Sequence, residues 1–315
     1  MPKVKFTQAQ RNTVSKEAAA TISTMTGFDL PNFIPLTKHM ILNMRKQFQT
    51  GEDKNEMAII DGHKLNVKHI SLNGVPGMLI TAPDVQMNKG VIFNVHGGGF
   101  IMGTARDRNG LLAAAETKLP VYSVDYTLSP EATALTVLGE VEHFYQGVIE
   151  AAGTQPITIM GSSAGSTIAA STIVRAHTKG MQLPAAAVLM CPALDISGNG
   201  DSAVFNDHRD ALSTHLSLRL AQSYIGDNDP LSPDVSPMYA TIGDWFPPTV
   251  MTTGTRDAML SNVLRFTDKL KDAKVPNHSI IKDGMWHGFT WEENLPEAIA
   301  TRKEMWQWIM QYNKA

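Results

Sequence analysis

A short glycine- and serine-rich stretch, GSSAGS at residues 161–166, lies between an apolar segment and an alanine-rich segment. Either of its adjacent serines could act as a nucleophile, but the glycine spacing distinguishes them. Gly161 and Gly165 flank Ser163 symmetrically with one residue between, whereas Ser162 has no glycine at the corresponding positions. A sharp turn from a strand into a helix strains the backbone of its central serine and presses the flanking residues together, so side chains there would clash. The stretch therefore predicts Ser163 as a nucleophile, although the same pattern also arises by chance in polar loops.

A second stretch, HGGGF at residues 96–100, follows directly after a run of branched apolar residues. Consecutive glycines remove side chains from a turn, so backbone N–H groups can converge on the negative charge that an attacked carbonyl oxygen gains. The expected donors are Gly98 and Gly99, joined by the N–H of Ala164 after the nucleophile, with Gly97 as a substitute. A phosphate-binding loop is the alternative, but no Gly-x-Gly-x-x-Gly or Gly-Lys-Ser pattern follows. The stretch predicts an oxyanion hole, and its histidine is expected to brace the loop rather than react.

A carboxylate and a histidine each follow a late apolar run, Asp257 in the segment GTRD and His287 in the segment WHGF. A serine hydroxyl is a poor nucleophile near neutral pH, so a histidine must take its proton and a carboxylate must orient that histidine. The chain order Ser163, Asp257, His287 is the order found in α/β-hydrolases. Asp244 and Asp283 compete for the role of the acid. Asp283 is the stronger competitor by its nearness in sequence to His287, but it lies too near to come from a separate loop.

These residues must be positioned by regular elements, and short runs rich in branched apolar residues alternate with segments of helical spacing. We expect buried strands at residues 91–95, 121–124, 157–160, 187–190, 249–252 and 278–281. We expect helices at residues 108–119, 137–152, 166–177, 261–271 and 296–312. An antiparallel hairpin is expected before them, at residues 65–70 and 77–81 around Asn73-Gly74. Regular alternation of strand and helix predicts an α/β fold whose mostly parallel sheet is covered by helices on both faces.

Two segments, residues 1–50 and 197–240, interrupt this alternation with helix-like stretches, polar loops and proline-rich turns. We predict that both form a cap over the carboxyl edge of the sheet within a single domain of residues 1–315. Methionine-rich apolar stripes are more often plain packing than a substrate pocket, so no single cap residue is assigned to the acyl site. The second segment also contains an acidic cluster that matches no metal site and that we interpret as a solvated loop: Asp201, Asp207, His208 and Asp210.

Composition excludes several classes of partner for this 315-residue chain. Its 27 lysines and arginines against 30 aspartates and glutamates give a net charge of -3, so no basic field attracts nucleic acid or acidic membranes. No stretch approaches the roughly 20 apolar residues of a membrane span, and the first residues lack the apolar core of a signal peptide. The single cysteine, Cys191, excludes an internal disulfide and fits a reducing compartment. We therefore predict a cytoplasmic protein without stable membrane insertion, and leave a homo-oligomer open.

Taken together and in this order, the motifs resemble those of the hormone-sensitive-lipase-like family of α/β-hydrolases, which includes many bacterial carboxylesterases. The resemblance extends from about residue 91 to the end of the chain and rests on HGGGF at 96–100, DYTLSPE at 125–131, GSSAG at 161–165, GTRDAML at 254–260 and WHGF at 286–289. It implies an eight-stranded sheet with helices on both faces and a helical cap. It also implies hydrolysis of carboxylic esters through an acyl-serine intermediate, with the triad Ser163, Asp257 and His287 and without a metal or organic cofactor.

The sequence departs from the usual motifs of this family without losing a triad member. The family usually has aspartate where Ser162 lies, glycine at Ser166 and proline at Ala258, and it has Arg-Leu-Ala at residues 127–129. The missing carboxylate at Ser162 removes a charge beside the nucleophile. We expect this change to affect the neighbouring hydrogen bonds and the pH optimum.

The sequence thus predicts a serine carboxylesterase for water-soluble esters with short-to-medium acyl chains, because it indicates no large exposed apolar surface for insoluble lipids. An amidase, a lactonase or an acyltransferase would use the same triad, and the catalytic residues do not separate these activities. A non-catalytic small-molecule binder on the same fold is the alternative from a different class, since a fold does not determine function. Such binders typically lack a triad member, whereas this chain keeps all of them.

Overall fold

In the computed structural model, which describes residues 6–25, 30 and 33–312, eight strands form one sheet. The strands are β1 (Asn66–Leu72), β2 (Val75–Thr81), β3 (Val91–Val95), β4 (Val121–Val124), β5 (Ile157–Ser162), β6 (Ala186–Met190), β7 (Thr249–Gly254) and β8 (Asn277–Lys282). Their spatial order is β1-β2-β4-β3-β5-β6-β7-β8. The β1–β2 and β2–β4 pairs are antiparallel, and the other pairs are parallel. The predicted α/β fold with an eight-stranded, mostly parallel sheet is confirmed.

The helices alternate with the strands through most of the chain. They are α1 (Gln8–Arg11), α2 (Lys16–Thr24), α3 (Lys38–His63), α4 (Arg108–Thr117), α5 (Ala134–Ala152), α6 (Ala164–Thr178), α7 (Asp201–Phe205), α8 (Thr214–Ile225), α9 (Leu260–Asp272) and α10 (Pro296–Ile309). All the strands and helices expected from the apolar pattern are present, and their ends differ from the predicted ends by a few residues. None of the helices at the described positions is long and apolar enough to cross a membrane.

The antiparallel hairpin at one edge of the sheet follows from its turn residues. Asn73 and Gly74 join β1 to β2 with φ angles of 48° and 82°. A two-residue turn with positive φ at both central positions is the type I′ turn, whose twist matches that of the paired strands. Asparagine and glycine adopt such angles at low cost, so this dipeptide located the hairpin correctly.

Helices cover both faces of the sheet, which encloses its central strands. Along β3, Phe93 belongs to the core shared with α5, α6 and α9, while the adjacent Ile92 belongs to the core shared with α4 and α10. Every residue of β3 is buried. Strands enclosed on two faces are continuous apolar runs rather than alternating ones. For this reason the short runs of branched apolar residues in the sequence were enough to locate them.

The two segments predicted to form a cap pack on each other. Ile41 of α3 shares an apolar cluster with Leu216 and Leu220 of α8, and Arg219 Nη1 donates to the carbonyl oxygen of Leu30 at 3.0 Å. Helix α3 continues past residue 50 to His63. The boundaries of the cap and of the single domain stay predictions, and residues 1–5, 26–29, 31, 32 and 313–315 within them lie outside the described residues.

Candidate active site

The turn that carries Ser163 has the strained geometry predicted for it. Ser163 lies between β5 and α6 with a φ of 52° and a ψ of -120°, and positive φ is rare for any residue that has a side chain. A side chain on Gly161 would collide with the carbonyl oxygen of Gly165, and one on Gly165 would collide with the carbonyl oxygen of Val95. The steric reason for the glycine spacing is confirmed, because the turn can close only where both positions lack a β-carbon.

His287 connects Ser163 to Asp257 through two hydrogen bonds. Its Nε2 lies 2.9 Å from Ser163 Oγ, and its Nδ1 lies 2.9 Å from Asp257 Oδ1. Because a carboxylate only accepts, Nδ1 carries the hydrogen and Nε2 is left to accept the hydroxyl hydrogen of Ser163. Burial opposes a charged imidazole, but the contacts of the ring with the Cys191 sulfur and with the carboxylate of Asp257 stabilise the charged form and raise the pKa of His287. The imidazole is therefore able to take the serine proton.

Residues near Asp257 in the chain fix the orientation of its carboxylate by donating hydrogen bonds to it. Its side chain is fully buried, Thr253 Oγ1 donates to Oδ2 at 2.8 Å, and the N–H of Met259 donates to Oδ1 at 2.8 Å. The competing carboxylates Asp244 and Asp283 are both exposed. Of the candidate acids considered on the sequence, Asp257 is the one that the structure brings to the histidine.

The predicted oxyanion donors line one cavity together with Ser163 and His287. Gly98 and Gly99 lie in the loop after β3 with φ angles of 115° and 59°, which glycine adopts without strain. Ala164 is the first residue of α6, so its N–H has no acceptor within the helix. Among the positions that the structure describes, no acceptor bonds to any of these N–H groups. They are available to an anion that forms beside the serine.

His96 braces the glycine loop, as its position suggested. The side chain is buried, and Nδ1 lies 2.8 Å from the carbonyl oxygen of Gly97, so Nδ1 carries the hydrogen. The ring stacks on Tyr126 with centroids 4.3 Å apart, and the Tyr126 hydroxyl donates to the carbonyl oxygen of His96 at 3.0 Å. Burial lowers the pKa of His96 and so favours the neutral ring. These contacts fix the loop on the side of the sheet.

Replacing Gly98 with alanine should impair this loop far more than the same change at Gly99. A side chain on Gly98 would overlap the carbonyl oxygen of Met102, whereas one on Gly99 would meet only Leu220 Cδ1, at 3.5 Å. We expect Gly98→Ala to lower kcat on p-nitrophenyl acetate about 10²- to 10³-fold, the typical cost of a lost oxyanion donor. Gly99→Ala is the matched control and should keep kcat within about tenfold of the wild type, since a β-carbon there would touch no backbone atom and the left-handed strain of about 1–2 kcal/mol would lower mainly the stability of the fold. Equal losses in two variants with unchanged thermal melts would contradict this order.

One residue of the acidic cluster belongs to the site, contrary to the sequence interpretation. Asp210 is 1% exposed, so its assignment to a solvated loop is wrong, whereas His208 is exposed as expected. The carboxylate of Asp210 accepts hydrogen bonds from the backbone N–H of His287 at 2.7 Å and from that of Ala258 at 2.8 Å. Asp210, Asp257 and His287 place side-chain atoms within 4.8 Å of one another, but each carboxylate already accepts hydrogen bonds from the protein. An aspartate in a polar loop gives no local signal of burial, because distant parts of the chain enclose it.

Two other residues that sequence reasoning did not assign to the site also contact the triad. Asn206 Nδ2 donates to the carbonyl oxygen of Asp257 at 2.9 Å. Cys191 is buried, as predicted for a small apolar residue, and its thiol lies against His287. Neither contact has a sequence signal, because both join residues far apart in the chain.

Ser162 is buried beside the nucleophile. Its hydroxyl accepts a hydrogen bond from Asn109 Nδ2 at 3.1 Å. A neutral contact therefore lies where the family that the motifs resemble usually has a carboxylate. The change in pH optimum expected from this difference stays a prediction.

The cavity beside Ser163 has a volume of about 210 Å³, below the roughly 300–1,000 Å³ of typical ligand pockets. Its charged lining includes Glu52 of α3 and Arg108, the first residue of α4, which pair at 2.7 Å. Its apolar lining comes largely from the segment between β6 and β7 and includes Ala193, Ile196, Leu212, Leu218, Leu220 and Ala221. The volume suits a small substrate, and the apolar lining suits an apolar group on it.

Comparisons with known proteins identify the family and the fold of this chain. The profile of a family described as having the alpha/beta hydrolase fold matches residues 92–291. An esterase of Acinetobacter venetianus is 30% identical over 246 residues, which cover 75% of this chain and 80% of that protein. A crystal structure of an esterase matches with a TM-score of 0.88 at 25% identity, over 98% of this chain and 97% of that one. A crystal structure of an esterase from the bacterial hormone-sensitive lipase family gives a TM-score of 0.79 at 24% identity, over 89% of this chain and 94% of that one.

Proposed function

This chain belongs to the α/β-hydrolase family, among the members that resemble hormone-sensitive lipase, and from this membership we propose that it is a serine carboxylesterase. The observation that carries the proposal is the 2.9 Å contact of His287 Nε2 with Ser163 Oγ, continued by the contact of His287 Nδ1 with Asp257. A serine bonded to a base that a buried carboxylate orients is the arrangement needed for nucleophilic acyl transfer. A binder without activity would have no use for this complete arrangement.

In the first half of the reaction, Ser163 Oγ attacks the ester carbonyl carbon while His287 Nε2 takes the hydroxyl proton. The carbonyl oxygen becomes an oxyanion, which accepts hydrogen bonds from the N–H groups of Gly98, Gly99 and Ala164. The bond to the alcohol oxygen then breaks, and the imidazolium donates its proton to that oxygen. The alcohol leaves, and the acyl group stays on the serine as an ester.

In the second half, water attacks the acyl-serine carbonyl carbon and His287 takes a proton from the water. A second oxyanion forms in the same place, and the bond to Ser163 Oγ breaks as the imidazolium returns its proton to that oxygen. The carboxylic acid leaves and the free enzyme is restored. Asp257 keeps the imidazole in the required tautomer and stabilises its charged form in both halves. The proposed reaction uses neither a metal nor an organic cofactor.

A series of p-nitrophenyl esters from acetate to palmitate tests both the activity and the proposed substrate size. We expect kcat/KM to be highest for short-to-medium acyl chains, because a cavity of about 210 Å³ leaves little room for a long chain. A matching p-nitroanilide, assayed in parallel, would reveal an amidase that the triad alone cannot exclude. A maximum at long, micellar esters would contradict the substrate size, and an inactive protein in every assay would contradict the esterase.

The proposed partner and location rest on the composition of the chain together with the proposed activity. The substrate is a small-molecule ester, and the net charge of -3 supports the proposal that nucleic acid is not a partner. The single cysteine supports a cytoplasmic location, where thiols stay reduced.

A further inference from the structure

We infer that Asp210 is a positioning residue of this esterase, whose carboxylate holds the loop of Asp257 and the loop of His287 in a fixed relation. Asp210 belongs to neither loop, because it lies between α7 and α8 in the segment that joins β6 to β7. The inference rests on the proposed function, since it explains how the contact between the acid and the base is maintained.

The two carboxylate oxygens of Asp210 bond to different loops. Oδ1 accepts the N–H of His287 at 2.7 Å and the N–H of Ala211 at 2.7 Å, and Oδ2 accepts the N–H of Ala258 at 2.8 Å. The first of these N–H groups belongs to the base itself, and the last belongs to the residue after the acid. A shift of the Asp210 carboxylate would therefore move both ends of the 2.9 Å contact between Asp257 and His287.

The residue after the acid makes this contact available. The family that the motifs resemble usually has proline at Ala258, and proline has no N–H to donate. The backbone itself would accept proline, because residues 257–260 form a type I turn. The N–H of Leu260 donates to the carbonyl oxygen of Asp257 at 3.2 Å, and Met259 has the φ of -90° and ψ of 4° of the third turn position. Ala258 occupies the second position, which proline favours.

The negative charge of Asp210 is unfavourable here, because its carboxylate is buried and lies close to that of Asp257. Burial and the charge of Asp257 raise the pKa of Asp210 to about 7, although His287 and the N–H donors oppose this shift. The positive charge of Arg256 lies near enough to interact with Asp210. An asparagine would avoid the repulsion, but an amide has one acceptor oxygen, whereas both oxygens of Asp210 accept N–H groups. Only a carboxylate can hold both loops.

The substitution Asp210→Asn tests this role with a change of few atoms. The amide oxygen would take the place of Oδ1 and keep the N–H of His287, but the amide nitrogen would then face the N–H of Ala258. Two donors repel, so we expect the acid loop to shift and kcat on p-nitrophenyl butyrate to fall about 10- to 100-fold, as small misplacements of catalytic groups do. KM should stay within about twofold of the wild type, because no contact to the substrate is changed.

A second substitution should rescue the first one. Ala258→Pro removes the N–H that the amide nitrogen would face, so the double variant Asp210→Asn/Ala258→Pro is expected to recover most of the lost kcat. Ala258→Pro alone removes the bond from Asp210 to the acid loop, so it should also lower kcat, but only several-fold, because the fixed φ of proline suits this turn position and no donor then faces Asp210 Oδ2. Such a pattern is far from additive, and two merely destabilising changes would not produce it. Asp207→Asn is the matched control, since it makes the same change in the same segment on a side chain that bonds to Thr214.

The outcomes separate this inference from the proposed function. A kcat for Asp210→Asn within twofold of the wild type, or a double variant slower than Asp210→Asn, would overturn the positioning role and leave the esterase intact. If Asp210→Asn fails to fold, the double variant and Ala258→Pro still decide, because the inference requires their kcat values to be similar. Retention of full activity by Ser163→Ala would instead contradict the proposed function.

Discussion

Ser163→Ala is expected to lower kcat on p-nitrophenyl butyrate about 10⁶-fold, the size of effect seen when the nucleophile of a serine triad is removed. The change deletes the atom that forms the acyl bond, while His287, Asp257 and the oxyanion donors remain. A residual rate above that of the uncatalysed reaction is expected, since the remaining donors still stabilise charge on the carbonyl oxygen. KM should change little, because Ser163 Oγ contributes mainly in the transition state. Steady-state kinetics, corrected for spontaneous hydrolysis, measure both constants.

The adjacent serine provides the matched control. Ser162→Ala removes a hydroxyl of the same kind from the neighbouring position, where it bonds only to Asn109 among the described side chains. We expect kcat for this variant to stay within about tenfold of the wild type, the scale of one lost hydrogen bond. An active-site phosphonate should add its mass to the peptide that contains Ser163 in the wild type and in Ser162→Ala, but not in Ser163→Ala. Labelling that persists in Ser163→Ala would place the nucleophile elsewhere.

The parts of this site that sequence reasoning located are those with strong local constraints. Gly161 and Gly165 mark the nucleophile turn because a β-carbon at either position would collide with the backbone. Asn73 and Gly74 mark the hairpin because both have positive φ. The central strands are continuous apolar runs because helices enclose both faces of the sheet. In each case the cause acts within a few residues or repeats along an element, so the sequence carries it.

The parts that sequence reasoning missed depend on residues that are distant in the chain. Asp210 looks like a solvated loop residue among polar neighbours, and it is buried only because the loops of Ala258 and His287 close around it. Asn206 was missed for the same reason, since it donates to the carbonyl oxygen of Asp257, which is distant in the chain. No periodicity or local propensity reports such contacts, because the three-dimensional fold creates them. The sequence showed alanine at position 258 in place of the usual proline, but it did not show that the N–H of Ala258 bonds to Asp210.

Asp257→Ala is expected to lower kcat about 10⁴-fold, the scale of losing the carboxylate of a serine triad. The alanine would leave His287 Nδ1 without its acceptor, so the imidazole could turn or adopt the tautomer that cannot accept the serine proton. Asp283→Ala is the control, because Asp283 was the strongest competitor by sequence and its side chain is exposed and bonds to Thr255. We expect this control to keep nearly full kcat. A large loss in Asp283→Ala with a small loss in Asp257→Ala would reverse the assignment of the acid.

Asp257→Asn should fall between these two variants, and the reason lies in the partners of each oxygen. Oδ1 accepts from two N–H groups, of His287 and Met259, whereas Oδ2 accepts only from the hydroxyl of Thr253, which can rotate and accept instead. The amide can therefore place its oxygen toward the imidazole and preserve the tautomer, so the charge of the acid is what the substitution removes. Without that charge the imidazolium is less stable and the pKa of His287 falls, which moves the acidic limb of the pH–rate profile to lower pH while the plateau drops. An unchanged limb together with a loss as large as that of Asp257→Ala would show that orientation, rather than charge, is the main contribution of Asp257.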